Sequence, residues 1–234
     1  MSRYIISVFI AGAIAAATLL SGRCFASECK ASMVRSCTLS DSINPLVRFS
    51  PIWSDPKYAS CNTAAATSYL TEKEKQVIYI LNLARVNPSL FLRTVIKQYP
   101  AYADESDLPQ SSYYKSLLVF LEKQAPMPIL FPDKDLYESA HCHALQSGKT
   151  GYVGHDRTTN ACKRIEKFEG ECCFYGTDDP LSIVVDLMID EGVPSLGHRK
   201  ILFTRFNRIG VSIASHSSYG WNTVLDLSNQ PIND

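Results

Sequence analysis

The sequence predicts an α+β fold, an α-β-α sandwich in which helices flank a small antiparallel sheet. Three observations predict it. Apolar residues recur at helical spacing in a series of capped segments from Thr71 onward. A proline-started helix follows Asp179. Near the end, two β-rich runs, Ile209 to Ser215 and Trp221 to Leu227, are joined by a short Ser-Tyr-Gly turn. Helices that can cover a two-stranded core of sheet give a layered α+β domain.

The elements follow in order. Thr71-Glu72-Lys73-Glu74 is a capping box, in which the threonine hydroxyl and the glutamate carboxylate satisfy first-turn amides. Val77, Ile80, Leu81 and Ala84 then mark the buried face of the helix. Asn87-Pro88 restarts the chain as a second helix, with Asn87 as cap and Pro88 at the first position. Tyr113 to Leu121 forms another helical pattern, and Asp133 to Gln146 the next, with Leu136, Ala140 and His143 on one face and Gly148 beyond its end. Residues 148–178 hold five glycines and only short apolar runs, which predicts a long functional loop region. Asp179-Pro180 caps a helix through Ile189, and the two strands close the domain. Residues 27–70 carry three cysteines, Pro45, Pro51 and Pro56 and no clear period, so they read as an irregular N-terminal extension preceding a domain over 71–234.

The 234 residues hold 23 basic and 23 acidic side chains and no long basic run. That disfavours nucleic-acid binding, which needs clustered Lys and Arg to neutralise phosphates. Residues 1–26 read as a signal peptide: Arg3 at the start, an uncharged apolar run from Ile5 to Leu20, and Cys24-Phe25-Ala26 before the expected cleavage point. Export follows as the expectation, to the outside, the periplasm or the cell envelope, with no membrane span left after cleavage. Seven cysteines then remain, at 29, 37, 61, 142, 162, 172 and 173, and an oxidising compartment favours disulfides among them. Cys162 lies ten and eleven residues before Cys172 and Cys173, so a bridge from Cys162 to one of that pair is expected, with Cys29 and Cys37 as a second staple. No C-x-x-C spacing points to thiolate metal binding.

Two histidines and two acids are the candidates for chemistry, singled out by the family resemblance given below. Gly154-His155 and Gly170-Glu171 lie in the predicted loop region, and Asp190 and Gly197-His198 follow the helix that starts at Pro180. Neutral imidazoles at His155 and His198 could ligate zinc or another divalent ion, with the carboxylates of Glu171 and Asp190 as outer partners or ligands. The alternative is structural: the carboxylates accept hydrogen bonds from the imidazoles and order the loops. On that reading Glu171 caps a turn and Asp190 is a loop residue. His141 and His143 are two apart on one helix and so point to different faces, His143 inward and His141 to solvent. His216, beside a turn, is expected to be exposed. Cys142 reads as a buried thiol or half of a disulfide rather than a nucleophile. There is no Gly-x-Ser-x-Gly elbow and no phosphate-binding glycine loop, and no catalytic residue is assigned.

The ordered set of motifs resembles the CAP superfamily, the SCP/PR-1-like domain, in its bacterial form, over roughly residues 72–228. The segment Glu74 to Ala84 continuing Arg85-Val86-Asn87 resembles the family's opening helix. Pro128, Leu130 and the Leu136 to Ala144 helix resemble its Pro-x-Leu and Leu-x-x-x-Ala stretch, and Gly154-His155 its first cleft histidine. Arg164 followed by Gly170-Glu171 resembles the arginine and the Gly-Glu-Asn signature, Ile183-Val184 with Asp190 the acid-bearing helix, and Gly197-His198-Arg199 the second cleft histidine. Cys172 stands where the family has Asn, Leu187 where it has Trp, and Asp190 where it has Glu. The resemblance implies a secreted module with a two-histidine, two-acid cleft that binds a lipid, glycan, peptide or protein partner. Two other functions compete with it: a metal-dependent hydrolase acting on peptide or cell-wall material, and an envelope structural or adhesive protein that uses residues 27–70.

Overall fold

A computed structural model of the chain describes residues 44–229. The expected signal peptide, the cleavage site and the Cys29 and Cys37 pair lie outside the described residues. Residues 44–70 form short 3-10 turns at Pro51–Ser54 and Pro56–Cys61. Leu46, Trp53, Tyr58, Cys61, Ala64 and Leu70 bury their side chains in the same core as the helices that follow. From Asn44 onward, then, this irregular segment is part of the packed domain.

Helix α1 spans Glu72–Val86 and opens with the capping box, Thr71 accepting from the Glu74 amide and Glu74 reaching back to the Thr71 amide. Asn87 caps α2, Pro88–Thr94, as expected. A short α3, Tyr99–Tyr102, and α4, Ser112–Lys123, follow. Strand β1 is Phe131–Pro132, and α5 runs Lys134–Thr150. Then come α6 at Asn160–Ile165, β2 at Gly170–Tyr175, α7 at Pro180–Ile189 and α8 at Gly197–Leu202. The hairpin β3, Arg208–His216, and β4, Gly220–Ser228, ends the described chain. The α+β class is as expected. The sheet is mixed rather than antiparallel, because β1 pairs parallel to β3 while β2 and β3 both flank β4 antiparallel, in the order β1-β3-β4-β2.

Helix α5 covers one face of the sheet at close range. Positions facing it along β3 are small and two apart: Gly210, Ser212 and Ala214. A Cβ on Gly210 would stand 2.2 Å from the Leu136 carbonyl carbon, and one on Gly148 would stand 2.0 Å from the Ser215 carbonyl oxygen. These glycines let helix and strand backbones touch, which is why α5 runs straight through Gly148. It stops at Gly151 instead, in the left-handed conformation that ends helices (φ 72°). The opposite face carries the larger core, where α1 and α7 pack with Cys172, Val211, Leu225 and Leu227.

Two buried arginines tie this larger half together, their guanidinium groups without a carboxylate ion pair among the described residues. Arg85 donates to the carbonyls of Pro128, Leu202, Thr204 and Phe206. Arg199 donates to those of Met188, Ile189 and Tyr113 and to the Ser116 hydroxyl. Each guanidinium thereby satisfies carbonyls that the ends of helices leave open. Buried Asn82 works similarly, donating to the Cys61 and Leu130 carbonyls and accepting from the Leu130 amide, so the early segment, α1 and the lead into β1 share one anchor.

The predicted loop over 148–178 contains the end of α5, all of α6 and strand β2. Gly170 to Cys173 are all buried, since β2 lies between both helical layers. A strand covered on both faces has no polar alternation to reveal it. His216 is buried rather than exposed, its Nε2 bonded to the Tyr152 carbonyl at 3.1 Å and its ring packed on Tyr175 and Tyr219.

Candidate functional site

The site wraps the free edge of β2. Adjacent strand residues face opposite layers, so Glu171 and Cys173 point toward α5 while Cys172 points into the larger core. From the α5 side, the loop after that helix brings His155 over the edge. From the other side, the turn between α7 and α8 brings His198.

Asp190 occupies the C-terminal cap of α7 in the left-handed conformation (φ 60°), which Asp tolerates better than most side chains. Its carboxylate accepts from the amides of His198 at 3.0 Å and Arg199 at 3.3 Å, and from His198 Nδ1 at 2.8 Å. One buried acid thus caps the first turn of α8 and sets the imidazole. The second pair mirrors it: His155 Nδ1 donates to Glu171 Oε1 at 2.8 Å. The two rings face each other with centroids 6.3 Å apart. Together with Val193, Ser195, Gly197 and Ile201 they line a half-open pocket of about 170 Å³. All four sequence-predicted residues, His155, Glu171, Asp190 and His198, therefore come together.

The pairing fixes the chemistry of each ring. A carboxylate only accepts, so Nδ1 of each neutral imidazole carries the proton and Nε2 keeps its lone pair. Among the described residues, neither Nε2 has a protein partner. This is the orientation that metal-binding histidines adopt when an outer acid holds the other nitrogen.

Below the His155 pair lies a buried charge network that sequence reading missed. Arg157 Nη1 stands 2.5 Å from Glu171 Oε2, and Nη2 stands 3.3 Å from Asp226 Oδ2. Nη1 also holds the His155 carbonyl at 3.0 Å, and the guanidinium lies over the Phe168 ring. Burial works to raise the Glu171 pKa, but the hydrogen bond from His155 and the charge of Arg157 outweigh it, and the carboxyl is held below its ordinary value. Asp226 goes the other way: burial and the adjacent Glu171 charge push its pKa well up. The family-like arginine proposed at 164 is exposed and takes no part. The residue in the site is Arg157.

A second group could hold a metal ion. His143, Glu171 and Cys173, all buried, offer ligand atoms within 4.8 Å of one another. The sequence places His143 on the buried helix face and offers no C-x-x-C spacing that points to thiolate ligation. The informative spacing is instead Glu171-x-Cys173, which puts a carboxylate and a thiol on one face of a strand.

The disulfide joins Cys142 to Cys162, not Cys162 to Cys172 or Cys173. Cys162 sits on α6, which packs on α5, whereas Cys172 and Cys173 are buried free thiols held in the sheet. Burial, with neighbouring negative charges, pushes both of their pKa values well up, so they are neutral. The bridge closes the loop that carries His155 and Arg157 and leaves the Asp190–His198 half outside it. His141, expected in solvent, is partly covered, bonded to the Ser212 hydroxyl at 3.0 Å and stacked on Tyr137.

Comparison with protein-family models, with curated proteins and with solved structures finds no match to this chain. No helix among the described residues is long and apolar enough to cross a membrane.

Proposed function

We propose that the chain is an exported CAP-like binding module whose cleft takes a divalent metal ion, zinc foremost, between His155 and His198. The observation that carries this reading is the matched pair of Nδ1–carboxylate hydrogen bonds, each 2.8 Å, which leaves two Nε2 lone pairs on one pocket. An ion shared by the two rings, whose centroids lie 6.3 Å apart, would take Zn–N bonds of about 2.0–2.1 Å to both Nε2 atoms. Glu171 and Asp190 act as outer partners that set the tautomer. The half-open pocket leaves further positions for water or a polar group of a small ligand, a glycan, lipid or peptide end, presented near Ser195 and Val193. The Cys142–Cys162 bridge supports export, because such bonds persist in oxidising compartments.

Zinc titration by calorimetry tests the reading. Protonated imidazole cannot ligate, so the wild type is expected to bind more tightly at pH 7.5 than at pH 5.5. Combining His155→Ala with His198→Ala should abolish that difference. A double variant that binds zinc as the wild type does at both pH values would overturn the cleft as the metal site.

A further inference from the structure

We infer that His143, Glu171 and Cys173 form a second, buried site for a zinc-class divalent cation beneath the cleft. It goes beyond the cleft reading and shares only Glu171 with it. The first argument is convergence. A thiol, an imidazole and a carboxylate bring their ligand atoms within 4.8 Å of one another, the imidazole from α5 and the other two from β2. Ligands about 2.0–2.3 Å from a zinc ion reach that spacing with small side-chain adjustments.

The second argument is what Cys173 touches. Free cysteines in a core normally behave as small apolar groups. Cys172, in the larger core on the other face of the sheet, touches one carbonyl, that of His198 at 3.9 Å. The Cys173 sulfur instead lies 3.7 Å from the Gly154 carbonyl oxygen and 3.7 Å from His155 Nδ1, on the same face as Glu171. Gly154 O also accepts from His143 Nε2 at 2.9 Å, so this one carbonyl touches both the imidazole and the thiol. Glu171 faces the same space, with its Oε2 ion-paired to Arg157 at 2.5 Å.

The third argument is donor chemistry. Sulfur, nitrogen and oxygen in one set suit zinc and disfavour magnesium or calcium, which take oxygen alone. On binding, the Cys173 S–H bond breaks, its proton passes to solvent and the sulfur electron pair goes to the metal. The group needs no co-reactant, only a divalent ion.

Cobalt(II), added to the full oxidised chain, reads this directly. A thiolate ligand gives Co²⁺ a sulfur-to-metal charge-transfer band in the near ultraviolet, which nitrogen and oxygen ligands do not. The wild type should show the band. Cys173→Ser should abolish it and His143→Gln should weaken cobalt binding at least tenfold, while Cys172→Ser and His198→Ala keep the band. Cobalt bound without a band in the wild type, or a band lost in Cys172→Ser and kept in Cys173→Ser, overturns the inner site and leaves the cleft reading standing. No cobalt binding at all overturns both. The wild-type spectrum decides even where a variant fails to fold.

Discussion

Replacing Arg157 with methionine is expected to destabilise the fold by about 3–5 kcal/mol, the cost of leaving a buried charge without its partner. The Arg157 and Glu171 side chains are 0% and 2% exposed, so solvent screens little of their interaction. The guanidinium is the main positive charge facing Glu171 and Asp226, and it also holds the His155 carbonyl. Without it, Glu171 takes up a proton or remains ionised at high cost, and either outcome loosens His155. The pH dependence has a definite sign. Glu171 has a depressed pKa in the folded state, so its contribution is present above the ordinary carboxylate range and lost as pH falls through the lowered value. In Arg157→Met that contribution disappears, and stability should instead fall as pH rises from about 5 to 8, where a carboxyl buried without its partner would ionise. Urea unfolding of wild type and variant across that range measures both. Equal midpoints would show that Arg157 carries no such weight.

The second large effect runs in the opposite direction. Asp186 on α7 is half-buried, and its Oδ1 accepts from the Tyr99 hydroxyl at 2.7 Å. Burial comes first among the causes that push its pKa to about 7, and nearby Glu105 and Asp179 add to it against the tyrosine bond. A carboxyl with a raised folded pKa favours the fold fully at low pH. The penalty grows as pH rises from its unfolded value near 4 to its folded value near 7. Asp186→Asn keeps an acceptor for Tyr99 and removes the charge. It should therefore stabilise the protein at pH 8 by up to about 4 kcal/mol, one pKa unit being about 1.4 kcal/mol, and change little at pH 4. Thermal unfolding at the two pH values tests this. A variant less stable than wild type at pH 8 would show that Asp186 is ionised and satisfied in the fold.

The parts of the fold written in local chemistry were legible in the sequence. The Thr71 capping box, the Asn87-Pro88 restart, the Asp179-Pro180 start and the β3–β4 hairpin all rest on short-range hydrogen bonds that near neighbours specify. Strand β2 was not legible, because a strand buried on both faces shows no alternation. Helix α8 has only six residues, and its cap is Asp190, seven positions before its first residue. The four cleft residues were named by the ordered resemblance of Gly154-His155, Gly170-Glu171, Asp190 and Gly197-His198 to a family pattern. Their pairing, His155 with Glu171 and His198 with Asp190, needed the edge of β2 to be known. Arg157 and Asp226 gave no such signal, since each acts through contacts the tertiary fold alone creates. The disulfide went astray for the same reason: the separation of Cys162 from Cys172 and Cys173 said nothing about which residues α6 packs upon.

The central claim is that two imidazoles, each held at Nδ1 by a buried carboxylate, turn their Nε2 atoms onto one shared ion. Anomalous diffraction at the zinc edge, from crystals grown with zinc at pH 7.5, tests it most directly. The expected result is a peak in the pocket about 2.0–2.1 Å from Nε2 of both His155 and His198, with each Nδ1 still on Glu171 or Asp190. Saturating zinc with no peak between the two rings would contradict it.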